Sequence, residues 1–305
     1  MTLWLVTGGA GFIGSHLVET LVARGERVRV LDDFSTGRWE NLAAVRGRVE
    51  VMEGDVRDPT VVTRAMEGVE VVAHLAAVAS VQASLEDPKR VWAVNVDGTL
   101  NLLEAARTGG VRRFVFASSA AVYGDHEELP LREDLPLRPL SPYAACKVAG
   151  EALCRAYCAS YGLPTVVLRF FNVYGPRQVP HSPYSGVVSI FVDRMRRGLP
   201  PVVYGDGHQT RDFVYVTDVV EAVVRAVERE EAVGEVFNVA GGAQTSVLKL
   251  VTVLNHTLGT HLRPAFAPPR PGEVLHSLAD VRRIRETLGW TAQVGLEEGL
   301  ERLGG

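Results

Sequence analysis

The chain has 305 residues, of which 47% are hydrophobic and 22% charged, and its formal net charge at pH 7 is −4. This length fits one large α/β domain, or such a domain with a smaller companion, and the composition is that of an ordinary globular protein. The mildly acidic charge provides no basic surface for nucleic acid or an anionic membrane, so we expect neither as a partner.

The cysteines and the apolar runs indicate the compartment. Cys146, Cys154 and Cys158 form no CxxC pair, and we expect reduced thiols and no metal site. No basic leader precedes the first apolar run, and no run approaches about 18 residues. We therefore expect a cytoplasmic protein.

The first 172 residues alternate short apolar runs with amphipathic stretches. The predicted strands are 3–7, 27–32, 49–55, 69–76, 112–119 and 164–172, and the predicted helices are 12–24, 59–67, 82–107 and 142–161. Near-continuous Val, Leu and Ile runs between helices are typical of a parallel sheet covered on both faces. The pattern predicts a Rossmann-like, doubly wound α/β domain, which binds ligands at the carboxyl ends of its strands.

The alternation stops after residue 172, where Pro and Gly become dense. The predicted helices are then 187–197, 217–229, 246–258 and 280–288. We predict a nucleotide-binding domain of residues 1–172 plus about 212–238. A smaller mixed α/β substrate-binding domain would comprise about 173–211 plus 239–305.

The segment "TGGAGFIGSHL" (7–17) joins the first strand to the first helix. It carries Gly8, Gly9, Gly11 and Gly14 in both the G-x-G-x-x-G and the G-x-x-G-x-x-G spacing. Glycines here allow a tight turn and a close approach of the backbone to a pyrophosphate at the helix N-terminus. A glycine-rich turn that only packs helix on strand is the alternative.

Carboxylates after the next two strands favour the dinucleotide. Asp32 ends the second strand, at the spacing expected for a group that binds the adenosine ribose. Asp55 follows the third strand, where it would face the adenine amino group. Asp32 and Asp33 would repel a ribose 2′-phosphate, so we predict NAD as the cofactor and not NADP.

A possible acid–base pair lies in "SPYAACKVAGE" (141–151). Tyr143 and Lys147 are four residues apart on one face of a predicted helix, and Ser119 ends the strand before it. A neighbouring ammonium and a positive nicotinamide would lower the phenol pKa toward neutrality. An aromatic ring packed on a lysine stem is the alternative for this motif alone.

With these motifs the chain resembles the extended short-chain dehydrogenases/reductases that modify sugar nucleotides, most closely their UDP-glucose (UDP-galactose) 4-epimerase branch. The resemblance runs almost end to end and also includes "HLAA", "SSAAVYG", "RFFNVYGP", "GDGHQTRDFVYVTDV" and "RPGE". It implies an NAD-dependent isomerase that acts on a UDP-hexose through a transient 4-keto intermediate. It also implies a homodimer formed through the segments 82–107 and 142–161.

The resemblance also implies roles for individual residues. Tyr143 would be the acid and base, Lys147 would hold the nicotinamide ribose, and Ser119 would bind the reacting hydroxyl. The implied cofactor-binding residues are Gly8, Gly11, Phe12, Ile13, Gly14, Asp32, Asp33, Asp55, Val56, Leu75, Ala76, Ala77, Asn95, Ser118, Tyr143, Lys147 and Phe170. The implied substrate-binding residues are Ser119, Tyr143, Asn172, Val187, Tyr204, Arg211, Arg270, Glu273 and Ser277.

The choice among reactions of the family depends on Ala120 and Ala121. Dehydratases must also eliminate water, and they carry carboxylates directly after the strand-end hydroxyl pair, as do the decarboxylases. The alanines therefore favour 4-epimerisation, with NAD regenerated in each cycle. A UDP-glucuronate 4-epimerase, a 4,6-dehydratase and a non-enzymatic NAD(P)-responsive binding protein remain alternatives. The small Ser277 stands at a family position that gates N-acetylated sugars, so we expect these to be accepted too.

Overall fold

The computed structural model describes residues 1–180, 186–269 and 274–304. Its strands are β1 (Leu3–Thr7), β2 (Arg27–Asp32), β3 (Glu50–Glu53), β4 (Val71–His74), β5 (Arg113–Ser119), β6 (Thr165–Phe170), β7 (Asn172–Tyr174), β8 (Val202–Tyr204), β9 (Thr210–Tyr215), β10 (Val236–Val239), β11 (Gln244–Ser246) and β12 (Ala265–Ala267). Its α-helices are α1 (Phe12–Ala23), α2 (Pro59–Met66), α3 (Val81–Glu86), α4 (Pro88–Trp92), α5 (Gly98–Gly109), α6 (Pro142–Tyr161), α7 (Val187–Arg196), α8 (Val216–Glu228), α9 (Val247–Thr257), α10 (Arg282–Leu288) and α11 (Leu296–Gly304).

Seven parallel strands form the central sheet, in the order β10-β6-β5-β4-β1-β2-β3. The sheet and its flanking helices confirm the predicted Rossmann-like α/β fold. The predicted strands did not include β10, whose four residues "VFNV" are too few to stand out in the sequence. It pairs with β6 and closes one edge of the sheet.

Successive side chains of each strand point to alternate faces of this sheet, and both faces carry a hydrophobic core. Val6 points to the face covered by α1 and α8, where it clusters with Leu17 and Val223. Its neighbour Leu5 points to the opposite face and joins Leu103 of α5. Successive side chains of a strand point to opposite faces, so a strand buried on both must be apolar throughout.

A smaller unit packs beside the carboxyl edge of the large sheet. It contains the sheet β11-β9-β7 and the pair β12-β8, and its apolar cluster includes side chains of α7, α9 and α11. Sequence analysis placed α10 in this unit, but Ile284 and Leu288 of α10 lie in the core of the large sheet. We therefore propose that α10 belongs to the nucleotide-binding domain. The remaining division into domains stays a prediction.

Two predicted elements are interrupted in the structure. The predicted helix 82–107 is α3, α4, a π-helical turn (Ala93–Asp97) and α5. The break falls at Asp87, which is non-helical before Pro88 and caps α4 by accepting from the Arg90 amide. The predicted strand 164–172 ends at Phe170, and the chain then enters β7 in the other sheet.

None of the helices in the described ranges has the length and apolar character needed to cross a membrane. Within the same ranges, no three histidine, cysteine or carboxylate side chains cluster as metal ligands would.

Candidate active site

The glycine loop between β1 and α1 is fixed by close backbone contacts. Gly8 has a φ of +68°, and a Cβ on it would lie 2.8 Å from the amide nitrogen of Ala76. A Cβ on Gly14 would lie 2.1 Å from the carbonyl oxygen of Gly8. Gly11 caps α1 with no side-chain bond, so the first amides of the helix are not capped by a side chain. The loop is thus a cradle that bulkier residues would fill.

Asp32 lies at the end of β2, beside this loop. It is 6% exposed, and its carboxylate accepts from the amides of Ala10 (2.8 Å) and Phe34 (2.9 Å). Burial raises the pKa of Asp32, and the two amide bonds oppose the rise. Asp33 is exposed and accepts from the amide and the hydroxyl of Ser35. The two carboxylates are therefore side by side but differ in environment.

Asp55 has a partner that sequence analysis did not anticipate. Its carboxylate accepts from Arg57 through Nε (2.8 Å) and through the backbone amide (2.8 Å). The Arg57 side chain is the main reason why the pKa of Asp55 lies below its usual range. Contact of Asp55 with an adenine amino group stays a prediction, and Arg57 and the adenine would then share the Asp55 carboxylate.

A buried chain of hydrogen bonds holds the loop after β4, which contains Leu75, Ala76 and Ala77. His74 bonds the hydroxyls of Thr7 (2.8 Å) and Thr99 (2.9 Å), and the Thr7 hydroxyl accepts from the Ala76 amide (3.2 Å). Burial lowers the pKa of His74 to about 3, so the ring is neutral at pH 7.

Asn95 holds the next part of this loop from the π-helical turn. Its side chain accepts from the Val78 amide (2.8 Å) and donates to the Val78 carbonyl (3.1 Å). π-helical turns often occur at functional sites. Asn95 is 2% exposed and fixes the loop through these two bonds, and its predicted contact with the cofactor stays a prediction.

Tyr143 and Ser119 meet at the carboxyl end of β5. Tyr143 lies in the first turn of α6 and is 9% exposed. Burial raises its pKa, and a hydrogen bond with the Ser119 hydroxyl opposes that rise. The Ser119 hydroxyl also accepts from the Ala121 amide (3.2 Å), which fixes its direction. The expected lowering of the Tyr143 pKa is therefore not a property of the protein alone.

Lys147 lies one turn further along the same face of α6. Its ammonium donates to the carbonyl of Ala117 (2.7 Å) and lies 5.9 Å from the centre of the Tyr143 ring. Burial lowers the pKa of Lys147 to about 8, so it is mostly charged at pH 7. The structure thus brings the predicted Tyr143, Lys147 and Ser119 together.

Ser118 differs from its neighbour because adjacent strand residues point to opposite faces. Its hydroxyl donates to the buried carboxylate of Glu151 (2.5 Å), and Arg169 of β6 pairs with that carboxylate (2.7 Å). The predicted contact of Ser118 with nicotinamide stays a prediction, and in it this hydroxyl would accept, because its proton is donated to Glu151. Sequence analysis missed Glu151 and Arg169, although the spacing of four residues from Lys147 to Glu151 repeats that from Tyr143 to Lys147.

The predicted substrate residues Asn172, Arg211 and Ser277 converge on the smaller unit. Asn172 of β7 pairs with Phe213, so Arg211 lies two residues away on the same face of this sheet. The guanidinium of Arg211 donates to the Thr210 carbonyl (2.8 Å). The amide of Thr210 donates to the Leu275 carbonyl (2.9 Å), which brings the segment containing the buried Ser277 alongside β9.

Asp212 is a further buried acid that sequence analysis missed. It is fully buried and accepts from the amides of Gly242 (3.1 Å) and Ala279 (3.0 Å). Burial raises its pKa to about 6, although these amide bonds oppose the rise. Asp212 thereby joins β9 to the loop after β10 and to the segment of Ser277.

The remaining predicted site residues have varied positions. Phe12 and Ile13 begin α1, Val56 is buried after β3, and Phe170 ends β6 opposite Ser119. Val187 begins α7, and Tyr204 ends β8 with its carbonyl accepting from Gln209 (2.6 Å). Arg270 and Glu273 lie outside the described residues.

The fold and this site define a dinucleotide-binding α/β enzyme with a tyrosine–lysine pair at the carboxyl edge of its sheet. The glycine cradle, the uncapped N-terminus of α1 and the buried Asp32 fit a dinucleotide. The chain belongs to the NAD dependent epimerase/dehydratase family, whose description matches residues 4–240. Membership confirms the resemblance seen in the sequence and confirms NAD as the cofactor.

Relatives match the chain over nearly its full length. A UDP-glucose 4-epimerase of Mycolicibacterium smegmatis is 45% identical over 302 residues, which cover 98% of this chain and 96% of the relative. The crystal structure of a UDP-glucose 4-epimerase of Thermotoga maritima with UDP-glucose has a TM-score of 0.94 at 41% identity, covering 99% and 97% of the two chains. The crystal structure of a UDP-glucose 4-epimerase of Thermus thermophilus with NAD has a TM-score of 0.89 at 43% identity and covers 98% of this chain and 97% of that one. A decarboxylase and dehydratases of nucleotide sugars are also among the relatives.

Proposed function

We propose that the protein is an NAD-dependent 4-epimerase of UDP-hexoses, interconverting UDP-glucose and UDP-galactose. One observation carries the choice of reaction: Ser119 meets Tyr143, and the next two residues are Ala120 and Ala121. A methyl group can neither donate nor accept a proton, so these two positions supply no acid or base for eliminating water. The three relatives described above with their identities are UDP-glucose 4-epimerases, which supports the same choice.

In this proposal Tyr143 removes the proton from the sugar C4 hydroxyl and later returns it. Ser119 holds the same oxygen by a hydrogen bond, and the Lys147 ammonium contributes a positive charge beside the phenolate. Bound NAD supplies the hydride acceptor and a positive ring, which would lower the Tyr143 pKa that burial alone raises. Because Ala120 and Ala121 supply no acid or base after β5, we expect the 4-keto sugar to take the hydride back, and a return on its other face inverts C4.

Incubation of UDP-glucose and UDP-galactose in separate samples, with no NAD added, tests the proposal. Proton NMR should show both samples reaching the same mixture of the two sugars. A binding protein would leave both unchanged, whereas a 4,6-dehydratase would form a 4-keto-6-deoxy sugar. UDP-glucuronate in a parallel sample tests the alternative 4-epimerase.

The size of Ser277 gives a separate prediction about the sugar. Ser277 is 8% exposed, and the next residue but one, Ala279, is held by Asp212. We expect the wild type to epimerise UDP-N-acetylglucosamine and Ser277→Tyr to lose this activity at least tenfold while keeping that on UDP-glucose. Ser277→Ala is the matched control and should keep both. Wild type that is inactive on the N-acetylated sugar, or Ser277→Tyr that retains this activity, would contradict the gate.

The homodimer and the cytoplasmic location also stay proposals. The apolar side chains of Leu85 on α3 and Trp92 on α4 are 60% and 48% exposed, and both helices pack against α6. Such side chains on the predicted contact surface support a dimer through this face. Sedimentation equilibrium would give twice the 33.1 kDa chain mass if the proposal is right, and a single chain mass would refute it.

A further inference from the structure

A buried polar cluster lies next to the Tyr143–Ser119 pair and has no part in the proton transfer proposed above. We call it the Glu151 cluster, and its members are Ser118, Tyr123, Glu151, Arg169 and Asn238. Arg169 donates to Glu151 through Nε (3.0 Å) and Nη2 (2.7 Å), and the two side chains are 2% and 5% exposed. A bidentate pair of this kind fixes geometry strongly.

The cluster holds both ends of the segment 118–123, which contains Ser119, Ala120 and Ala121. At one end the Ser118 hydroxyl donates to Glu151 (2.5 Å). At the other end the Tyr123 hydroxyl accepts from Arg169 Nη1 (2.8 Å) and donates to Asn238 Oδ1 (2.6 Å). The reacting part of the segment therefore lies between two anchors on one ion pair.

The same cluster fixes α6 relative to β5. Tyr143, Lys147 and Glu151 lie on one face of α6 and contact Ser119, the Ala117 carbonyl and the Ser118 hydroxyl, respectively. The helix can approach closely because residue 150 is glycine, where a Cβ would lie 2.4 Å from the Phe116 ring. Residues 117, 118 and 119 of β5 are thus each contacted by one side chain of α6, and these side chains come from successive turns of the helix.

We infer that Glu151 is a positioning residue of the reaction. Through Ser118 and Arg169 it fixes the position of Ser119 relative to Tyr143. Its carboxylate also balances the charge of the buried Lys147 ammonium. A buried ion pair is weak evidence for stability, because well-packed apolar residues often serve equally well. Its location between the strand-end serines and the catalytic helix points instead to positioning. This inference rests on the proposed function.

The charges around Lys147 support the second part of the inference. Burial lowers the Lys147 pKa, and the Glu151 carboxylate is one of the groups that oppose the lowering. Loss of this carboxylate would leave Lys147 and Arg169, which are 5% and 2% exposed, without the negative charge that faces both of them. The other titratable groups around the cluster and Lys147 are Tyr123, Tyr143, Cys146, Cys154, His74 and Glu133, whose carboxylate accepts from the Asn238 amide.

Two variants separate position from charge. Glu151→Gln keeps the size and an acceptor oxygen but removes the charge. Ser118→Ala removes the hydrogen bond but keeps the charge. For Glu151→Gln we expect kcat at pH 7 to fall about tenfold with KM within threefold of wild type, and the alkaline limb of the kcat profile to move about one pH unit downward. For Ser118→Ala we expect kcat to fall roughly threefold to tenfold with the alkaline limb in place.

Glu301→Gln on the exposed face of α11 is the matched control and should behave as wild type. Thermal unfolding and NAD content show whether each variant is folded. If Glu151→Gln does not fold, Ser118→Ala decides, and an unchanged kcat then overturns the inference. An unchanged kcat and alkaline limb in folded Glu151→Gln overturns it as well. Wild type that interconverts no sugar refutes the proposed function instead, so the two failures are distinguishable.

Discussion

Tyr143→Phe should abolish the interconversion of UDP-glucose and UDP-galactose, with a fall in kcat of roughly 10²- to 10⁴-fold, the usual contribution of a general acid–base group. The phenol oxygen is the only atom removed, and it is the atom that meets Ser119. The ring, which is 9% exposed and packed at the start of α6, is retained. NAD should therefore stay bound, as measured by its release from denatured protein.

Tyr157→Phe is the matched control for this variant. It lies on the same helix, about 21 Å further along at the rise of an α-helix, and is also buried. Its hydroxyl donates to Glu104 on α5, away from the site. We expect normal turnover from the control. Turnover by Tyr143→Phe at the wild-type rate would rule out this tyrosine as the acid and base.

Gly14→Ala should cause the second large loss, this time of cofactor binding. The added Cβ would lie 2.1 Å from the Gly8 carbonyl oxygen and 2.8 Å from the Gly9 Cα, and both are backbone atoms of the cradle. The loop must move away from α1, so the purified protein should lack NAD. Overpacking of this kind also costs about 3 kcal/mol of unfolding free energy.

Gly109→Ala on α5 controls for the substitution itself. Gly109 is the last residue of α5, and its added Cβ would lie 3.4 Å from Met66, an ordinary van der Waals contact, so we expect stability close to that of the wild type. Urea unfolding and the absorbance of released NAD measure both effects. A Gly14→Ala protein with full NAD content would show that the loop is not the pyrophosphate site.

The sequence predicted the central sheet well because buried parallel strands are continuously apolar. β1, β2 and β5 begin and end within one residue of the prediction. The break at Asp87 was missed because the apolar pattern continues across Pro88, and β10 was missed because four residues carry too little periodicity. The helix break and strand β10 both depend on contacts with residues distant in sequence, such as the pairing of β10 with β6.

For the site, motifs predicted the residues at strand ends but not what supports them. The contact of Tyr143 with Ser119 follows from their places on α6 and β5. By contrast, Arg169 looks like an ordinary strand residue, and only the fold brings it to Glu151. The pKa of Tyr143 could not be derived either, because burial, which raises it, depends on the packing around the ring.

The most direct test of the central claim is epimerisation in heavy water, followed by proton NMR of the sugar. If Ala120 and Ala121 leave no base to attack C5, UDP-galactose should form from UDP-glucose with every carbon-bound hydrogen retained and with no NAD added. Deuterium at C5, or a 4-keto-6-deoxy product, would show that a base removes the C5 proton and would contradict the account.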